Sequence, residues 1–555
     1  MAEEPEARQS RPVRVVRRVP SWGALTGAVI CYCLSFTPSL IPRAWWLQAA
    51  AGAITAVFGY GIGAFLQWLL WRCGVRVRGR VRRWAWLVLT AVGAAAVVFV
   101  TAWSVRWQGD LRRAVGLDPR VSWWQWALVL PVALLLAALL VLIARLVRLG
   151  TRMIARQFGR VIPPWAAATG AVLVAAVLVV GLVQGFLLRG LLNVAESAAS
   201  LTDRSTSPGI VRPTLATLSG SPASLEDWDS LGAKGRDFIG QATTAGQITA
   251  FSGQPAKDPV RVYVGLRSAD TLAHRAALAV AELDRTGGFT RQVLVIVSTT
   301  GSGWVNEQIA TPPEYLYGGD SALVAMQYSY LPSWISFLTE GEASDAGAAL
   351  IDAVHAHWST LPADHRPKLL VAGESLGSYA TERAYPDGIA GLASRTDGAL
   401  LVGPTPDNPI RRDVTDGRDR GSPVWRPLYQ DGRTVRFAQT PADLDLPGGP
   451  WDRPRVVYLQ NGSDPVTWWE PSLIWRRPQW LEQPRAADVS PTMRWYPLVT
   501  FWQVTCDLAV SNDVPAGYGH RFGTLPVYAW ARIAPPPGWT DADSARLDAR
   551  LRAGS

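Results

Sequence analysis

Cysteine and histidine are both scarce in this chain, which contains four cysteines and five histidines in 555 residues. No two cysteines have CxxC spacing, and no cysteine lies near a histidine at the spacing of a zinc site. The sequence therefore offers no disulfide framework, and we predict that the protein has no metal site. Cys506 stands among apolar residues and is interpreted as a core residue.

Charge is also limited, and lysine is nearly absent. Charged residues make up 18% of the chain, and lysine occurs only at positions 234, 257 and 368, so the net charge of +10 comes almost entirely from arginine. Much of the arginine lies in the first 160 residues, between apolar runs. This arrangement is typical of membrane orientation and argues against a nucleic-acid-binding surface. We therefore predict a lipid bilayer, and no nucleic acid, as a partner.

Five apolar runs are long enough to cross a bilayer, which requires about 20 residues. They cover approximately 22–41, 45–71, 84–105, 124–142 and 165–187. Tryptophan stands at nearly every end, as expected for side chains at the membrane–water interface. The sequence predicts a basic tail over 1–20 and a five-helix transmembrane domain over 21–188.

The arginines also predict the orientation of these runs. The N-terminal tail and the segments after the second and fourth runs are rich in arginine, whereas the other loops carry little or are diluted by aspartate. Positively charged loops remain in the cytoplasm. We therefore expect a multi-pass protein of the cell membrane, with a cytoplasmic N-terminus and everything after residue 188 on the extracytoplasmic side.

No ionisable residue stands in the middle of the five runs. Transporters and proton relays normally keep such charges, so the runs favour an anchor over a lipid transporter. Residues 189–258 combine a polar stretch with recurring prolines, and we interpret them as a stalk and entry segment.

Short apolar strands separated by helical stretches follow from residue 259 onwards. Strands are predicted at 261–266, 292–298, 322–327, 368–372, 399–403 and 455–460. This alternation predicts a mostly parallel sheet with helices on both faces. Ligands of such sheets bind beyond the carboxyl ends of the strands, where the candidate residues below also fall.

The first candidate is Ser375, in the sequence GESLG at 373–377. A Gly-x-Ser-x-Gly pattern between a strand and a helix is typical of a nucleophile elbow. The five-residue pattern is weak by itself, so its interpretation depends on catalytic partners elsewhere in the chain.

A serine nucleophile needs a base, usually a histidine that is oriented by a carboxylate. His520 is the only histidine after Ser375, and it lies in a glycine-rich loop. Asp464 lies in the loop immediately after the strand at 455–460 and precedes a proline, so an Asx turn is its alternative interpretation. Asp407, which follows the preceding strand, is the strongest rival. We predict Ser375, Asp464 and His520 as a catalytic triad.

The developing oxyanion of such a reaction needs backbone N–H donors. One should be the amide after the nucleophile, Leu376, and the other should come from the loop 299–303, for which we predict Thr300 and Gly301. A phosphate-binding role for this loop is weaker, because it lacks the full GxGxxG and a P-loop lysine.

These residues resemble the α/β-hydrolase superfamily over roughly 260–535. Together with the stretch SFTPSLIPR at 35–43, the whole chain resembles an actinobacterial family of multi-pass membrane proteins whose C-terminal half is an α/β-hydrolase. The resemblance implies that Ser375, Asp464 and His520 form the triad of an acyl hydrolase that uses no cofactor.

Three features depart from the usual pattern. The oxyanion loop lacks a His-Gly pair, the run 498–510 reads as a helix, and 404–454 form a long polar insertion, a candidate lid.

The sequence thus predicts an α-helical membrane bundle followed by an α/β-hydrolase domain over 259–555. The predicted function is that of a membrane-anchored serine hydrolase, of the esterase or lipase kind, that cleaves a lipid or envelope-linked ester substrate. Two alternatives remain open. One is a non-enzymatic envelope protein that retains the fold, and the other is a lipid transporter with an accessory domain.

Overall fold

The computed structural model describes residues 21–75, 79–158, 199–200, 202–331 and 340–554. Its N-terminal helices are α1 (Trp22–Ser35), α2 (Trp45–Arg72), α3 (Gly79–Ala114), α4 (Trp123–Ala127) and α5 (Val129–Phe158). Among the described residues, three helical stretches are long and apolar enough to cross a membrane, at Trp45–Arg72, Gly79–Ala114 and Trp123–Thr151. The predicted tail 1–20 and the predicted fifth run 165–187 lie outside the described residues.

The first predicted run, 22–41, is wrong at its C-terminal end, because the helix stops at Ser35. Pro38 and Pro42 explain the difference, since proline lacks the N–H of a helical hydrogen bond and disfavours helix in the residue before it. The segment 36–43 forms a loop, in which Leu40 and Ile41 are fully buried.

Helices α1 and α2 pack closely as an antiparallel pair. A Cβ atom on Gly27 would lie 2.2 Å from the carbonyl oxygen of Gly59, and one on Gly63 would lie 2.1 Å from that of Gly23. Any larger residue would force the two backbones apart, and small residues at such positions are typical of helix pairs in membranes.

The C-terminal half contains a seven-stranded sheet. Its strands are β1 (Val260–Val264), β2 (Val293–Ser298), β3 (Ser321–Met326), β4 (Lys368–Glu374), β5 (Gly398–Val402), β6 (Val435–Ala438) and β7 (Arg455–Leu459). Their order is β1-β3-β2-β4-β5-β7-β6, and every neighbouring pair is parallel. The predicted parallel sheet and its six predicted strands are confirmed. Strand β6, inside the insertion 404–454, was not predicted.

Helices cover both faces of this sheet. The described helices of this half of the chain are α6 (Gly232–Gly240), α7 (Ala245–Ser252), α8 (Leu272–Thr286), α9 (Glu307–Leu316), α10 (Glu340–Thr360), α11 (Leu376–Arg383), α12 (Gly388–Arg395), α13 (Pro409–Asp416), α14 (Pro465–Trp468), α15 (Val499–Leu508), α16 (Leu525–Ile533) and α17 (Asp541–Ala553). Short 3₁₀ turns lie at Gly288–Thr290, Gln430–Gly432, Pro441–Asp445, Pro471–Ile474 and Gln479–Leu481. Because both faces are covered, the strands are apolar almost throughout.

Residues 202–258, which we expected to act as a stalk and entry segment, pack against the sheet. Phe238, Ile239 and Ile248 belong to one apolar core with residues of β2 and β3. Leu218 forms an isolated parallel bridge with Arg261 of β1. This part of the segment is therefore built into the C-terminal domain.

Helix α15 connects the two halves of the protein. The predicted helix at 498–510 is present, and the side-chain amide of Gln503 donates to the backbone oxygens of Ser35 and Thr37, at 3.1 and 2.8 Å. The preceding residue, Trp502, contacts Phe58 of α2, with 5.5 Å between the ring centroids. The loop after α1 and the first half of α2 therefore pack against α15.

Candidate active site

Ser375 lies in the sharp turn between β4 and α11. Its backbone angles are φ 55° and ψ −121°, which a residue with a side chain rarely adopts outside functional sites. The Ser375 N–H donates to the carbonyl oxygen of Val402 at 2.9 Å, so the turn is fixed to the end of β5. The side chain is partly exposed, as a nucleophile requires.

The two glycines of the GESLG sequence are both required by close backbone contacts. A Cβ atom on Gly373 would lie 2.2 Å from the carbonyl oxygen of Gly377, and one on Gly377 would lie 2.3 Å from that of Ser298. Glycine at 373 therefore lets the turn close on itself, and glycine at 377 lets it approach β2 this closely.

Asp464 and His520 form a buried pair. The Oδ2 atom of Asp464 lies 2.7 Å from Nδ1 of His520, and both side chains are shielded from solvent. Asp464 also caps α14, because its Oδ1 accepts from the N–H of Val466 at 2.8 Å. The Asx turn and the contact with histidine therefore occur together. The rival Asp407 is exposed.

Several hydrogen bonds hold the loop of His520 against the loop that follows β7. The side-chain amide of Asn461 donates to the Gly519 oxygen at 2.8 Å, and the Gly519 N–H donates to Oγ of Ser463 at 2.9 Å. A Cβ atom on Gly403, the residue after β5, would lie 2.5 Å from Cε1 of His520. The imidazole therefore lies over the end of β5, the strand to which Ser375 is fixed.

The described hydrogen bonds include none between the Ser375 hydroxyl and His520. Such contacts are often long in an unliganded site and shorten when substrate binds. The structure brings all three predicted residues to the carboxyl ends of neighbouring strands, and it joins two of them directly.

Charge around the imidazole favours its protonated form. Burial would lower the pKa of His520, but the Asp464 carboxylate, its hydrogen bond and the nearby Glu374 outweigh burial and raise that pKa above its ordinary value. Burial raises the pKa of Glu374 itself, although the His520 charge and a 2.7 Å hydrogen bond from the Asn306 amide both act to lower it. Glu374 and Asn306 were not singled out by sequence reasoning. An acidic residue inside the elbow pattern was the available signal for Glu374.

The three predicted oxyanion donors differ in their present contacts. Leu376 is the first residue of α11, and amides of a first helical turn have no partner within their helix. By contrast, the Gly301 N–H donates to the Tyr328 hydroxyl at 2.8 Å, and the Thr300 N–H donates to the Trp304 oxygen at 3.1 Å. Thr300 and Gly301 are thus engaged within the protein in this state.

The other histidines have structural surroundings. His357 lies 3.0 Å from Asp284 and packs on the ring of Phe289, and His365 is exposed in a turn. In the part of the chain that the structure describes, no group of three or more His, Cys, Asp or Glu side chains could hold a metal ion. Cys506 is buried, as the sequence predicted.

The parallel sheet and the strained serine after β4 place the C-terminal half in the α/β-hydrolase class. Residues 260–547 match the model of a family described as the alpha/beta-hydrolase family, and residues 36–242 match the model of that family's N-terminus. The chain belongs to this family. No curated protein and no solved structure matches it.

Proposed function

We propose that the protein is a membrane-anchored serine hydrolase that cleaves an ester through Ser375, Asp464 and His520. The observation that carries the proposal is the buried 2.7 Å contact between Asp464 and His520, which lies over the strand end that fixes Ser375. Membership of the alpha/beta-hydrolase family supports a hydrolytic activity.

The reaction follows from the chemistry of these groups. Nδ1–H of His520 donates to Asp464, so Nε2 is left to accept the proton of the Ser375 hydroxyl. The Ser375 oxygen attacks the ester carbonyl carbon, and the tetrahedral intermediate expels the alcohol, which takes its proton from His520. Water, activated by the same histidine, then attacks the acyl-enzyme and releases the acid. No cofactor takes part in these steps.

The negative oxygen of the intermediate requires N–H donors. The Leu376 amide is the first donor in this proposal. The amides of Thr300 and Gly301 join it by exchanging their present acceptors, Trp304 and Tyr328, for the oxyanion. Substrate binding would therefore rearrange the loop 299–303.

The three long apolar helices support attachment to a bilayer. With the arginine-rich segments in the cytoplasm, the hydrolase domain would lie on the extracytoplasmic side of the cell membrane, and a lipid or envelope-linked ester would be its substrate. A non-enzymatic envelope protein would not need the strained backbone of Ser375.

Ester turnover tests the proposal. The purified full chain, in a neutral detergent, is expected to hydrolyse p-nitrophenyl esters, and Ser375→Ala or His520→Ala should lower kcat by about 10³-fold or more. Equal rates for the parent and both variants would refute the triad.

A further inference from the structure

Two loops of the N-terminal half reach into the C-terminal domain. They are 36–44, between α1 and α2, and 115–122, between α3 and α4. The proposed reaction assigns no role to either loop, although the first contains most of the stretch SFTPSLIPR. Leu40 and Ile41 in this loop and Val115 in the other are fully buried. A loop that only joined two membrane helices would not need to bury such side chains.

One apolar cluster joins both loops to the segment 511–523, which carries His520 and is called the histidine loop below. The two halves of the chain both contribute to this cluster, whose buried members are Ile41, Leu47, Val115, Val510 and Val514. Tyr518, two residues before His520, packs against the same cluster. A Cβ atom on Gly116 would lie 3.5 Å from the Tyr518 ring. The N-terminal half therefore supplies part of the apolar support of the histidine loop.

The backbone of the histidine loop is fixed to the end of α15. The His520 N–H donates to the Ser511 oxygen at 2.8 Å, and a Cβ atom on Gly519 would lie 2.5 Å from that same oxygen. Ser511 follows the end of α15 closely, and between them the Val510 N–H donates to the Asp507 oxygen at 3.1 Å. Because packed interiors transmit displacements, a shift of this helix end would move the group that holds His520.

The loop after α1 holds this end of α15 in place. The Asp507 side chain accepts from the guanidinium of Arg43 and from the backbone N–H of Leu40. Leu40 also belongs to a second apolar cluster, together with Trp468 of α14, the short helix that Asp464 caps. The same loop therefore supports the elements that carry both the proposed base and its carboxylate.

We propose that these two loops position His520 for catalysis, so that the N-terminal half contributes to ester cleavage as well as to attachment. This inference rests on the proposed hydrolase function. Ile41, Val115 and Tyr518 are positioning residues, because they act through the histidine loop and fix the imidazole relative to the nucleophile. A displacement of about 1 Å at such a group can lower the rate about 10²-fold.

Val115→Ala and Val129→Ala are a matched pair for the test, made in the full chain in a neutral detergent. Both valines are 0% exposed and belong to the N-terminal half, but Val129 lies in a different apolar cluster, among the helices. Val115→Ala should lower kcat for p-nitrophenyl esters about tenfold and leave KM unchanged, because His520 acts in the chemical steps. Val129→Ala should keep the parental kcat.

The rate is expressed per active site that a fluorophosphonate labels at completion. A smaller folded fraction therefore does not change the measured kcat, so a loss of stability alone cannot imitate a loss of positioning. A second pair tests the other loop. Ile41→Ala should lower kcat in the same way, whereas Ile41→Val, which keeps most of the side chain, should retain most of the parental kcat.

Hydrogen exchange gives a readout that does not depend on ester cleavage. Peptides that cover 511–523 should exchange faster in Val115→Ala than in the parent or in Val129→Ala, because the His520 N–H is held within this segment. Equal kcat per labelled site in the two valine variants, or equal exchange of this segment, would overturn the proposal and leave the proposed function intact. A parent that cleaves no ester, with the expected exchange pattern, would refute the hydrolase function but not the support of His520 by the loops.

Discussion

Arg43, in the loop between α1 and α2, forms a buried ion pair with Asp507 at the end of α15, with 2.7 Å between Nε and Oδ1. Both side chains are at most 1% exposed. The second carboxylate oxygen of Asp507 accepts from the Leu40 N–H at 3.1 Å, and Arg43 also donates to Gln48 at 2.9 Å. Each half of the chain supplies one charge, so neither charge is compensated unless the two halves pack together.

This pair predicts a strong effect of single substitutions on stability. Arg43→Ala or Asp507→Ala leaves one buried charge without its partner, which typically costs about 3–5 kcal/mol. We expect each single variant to lower the melting temperature of the full chain in detergent by a large amount. The double variant should lose much less stability than the sum of the two single losses. Asp110→Ala, which breaks an exposed pair with Arg113, is the control and should change little. Equal effects of Asp507→Ala and Asp110→Ala would contradict this account.

The glycines of the elbow give a second prediction. Gly377→Ala would place a Cβ atom 2.3 Å from the Ser298 oxygen, a backbone atom that cannot move aside. We expect a loss of at least about 2 kcal/mol in stability, with loss of activity. Gly341→Ala is the matched control, since nothing lies within 4 Å of its added Cβ. Normal activity of Gly377→Ala would mean that the turn is not built as described.

The surroundings of His520 predict the pH dependence of ester hydrolysis. The base must be neutral, so activity should rise with pH through the His520 pKa, which lies above its ordinary value. Glu374→Gln removes one carboxylate that raises this pKa, so the midpoint of the rise should move to lower pH, by ~0.5 units. Asp407→Asn, at an exposed carboxylate, should leave both rate and midpoint unchanged. A midpoint that moves to higher pH in Glu374→Gln would contradict the assignment of His520 as base.

The proposed orientation can be tested with a native cysteine. Cys73 is exposed at the end of α2, in an arginine-rich segment that we predict to be cytoplasmic. In intact cells, a membrane-impermeant maleimide should not label Cys73, whereas a cysteine introduced by Ser252→Cys in a Cys73→Ser background should react. Permeabilised cells, in which both should react, are the control. The reverse pattern in intact cells would place the hydrolase domain in the cytoplasm.

The sequence was sufficient to predict the parallel sheet, because its strands are buried on both faces and read as continuous apolar runs. The sequence was also sufficient to propose Ser375, Asp464 and His520. Each of them follows a strand end or lies in a glycine-rich loop, and such positions can be recognised from the order of residues along the chain. Strand β6 was missed, since its four residues include a buried arginine whose charge is offset by carbonyl oxygens from other segments.

Contacts between distant segments could not be predicted from local patterns. The pairing of Arg43 with Asp507 joins residues that are 464 positions apart, and nothing in either stretch indicates the other. The same applies to the hydrogen bond from Gly301 to Tyr328, which engages an amide that the loop composition suggested would be free. Helix α1 ended early for a local reason, the prolines at 38 and 42, and the sequence contained that signal.

The identity of the nucleophile is the central claim, and covalent labelling tests it most directly. The full chain is treated with a fluorophosphonate, which reacts with activated serine, and the modified peptide is located by mass spectrometry. The account predicts one adduct on Ser375, slower labelling in His520→Ala, and no adduct in Ser375→Ala. Labelling that persists in Ser375→Ala, or a parent protein that does not react at all, would contradict it.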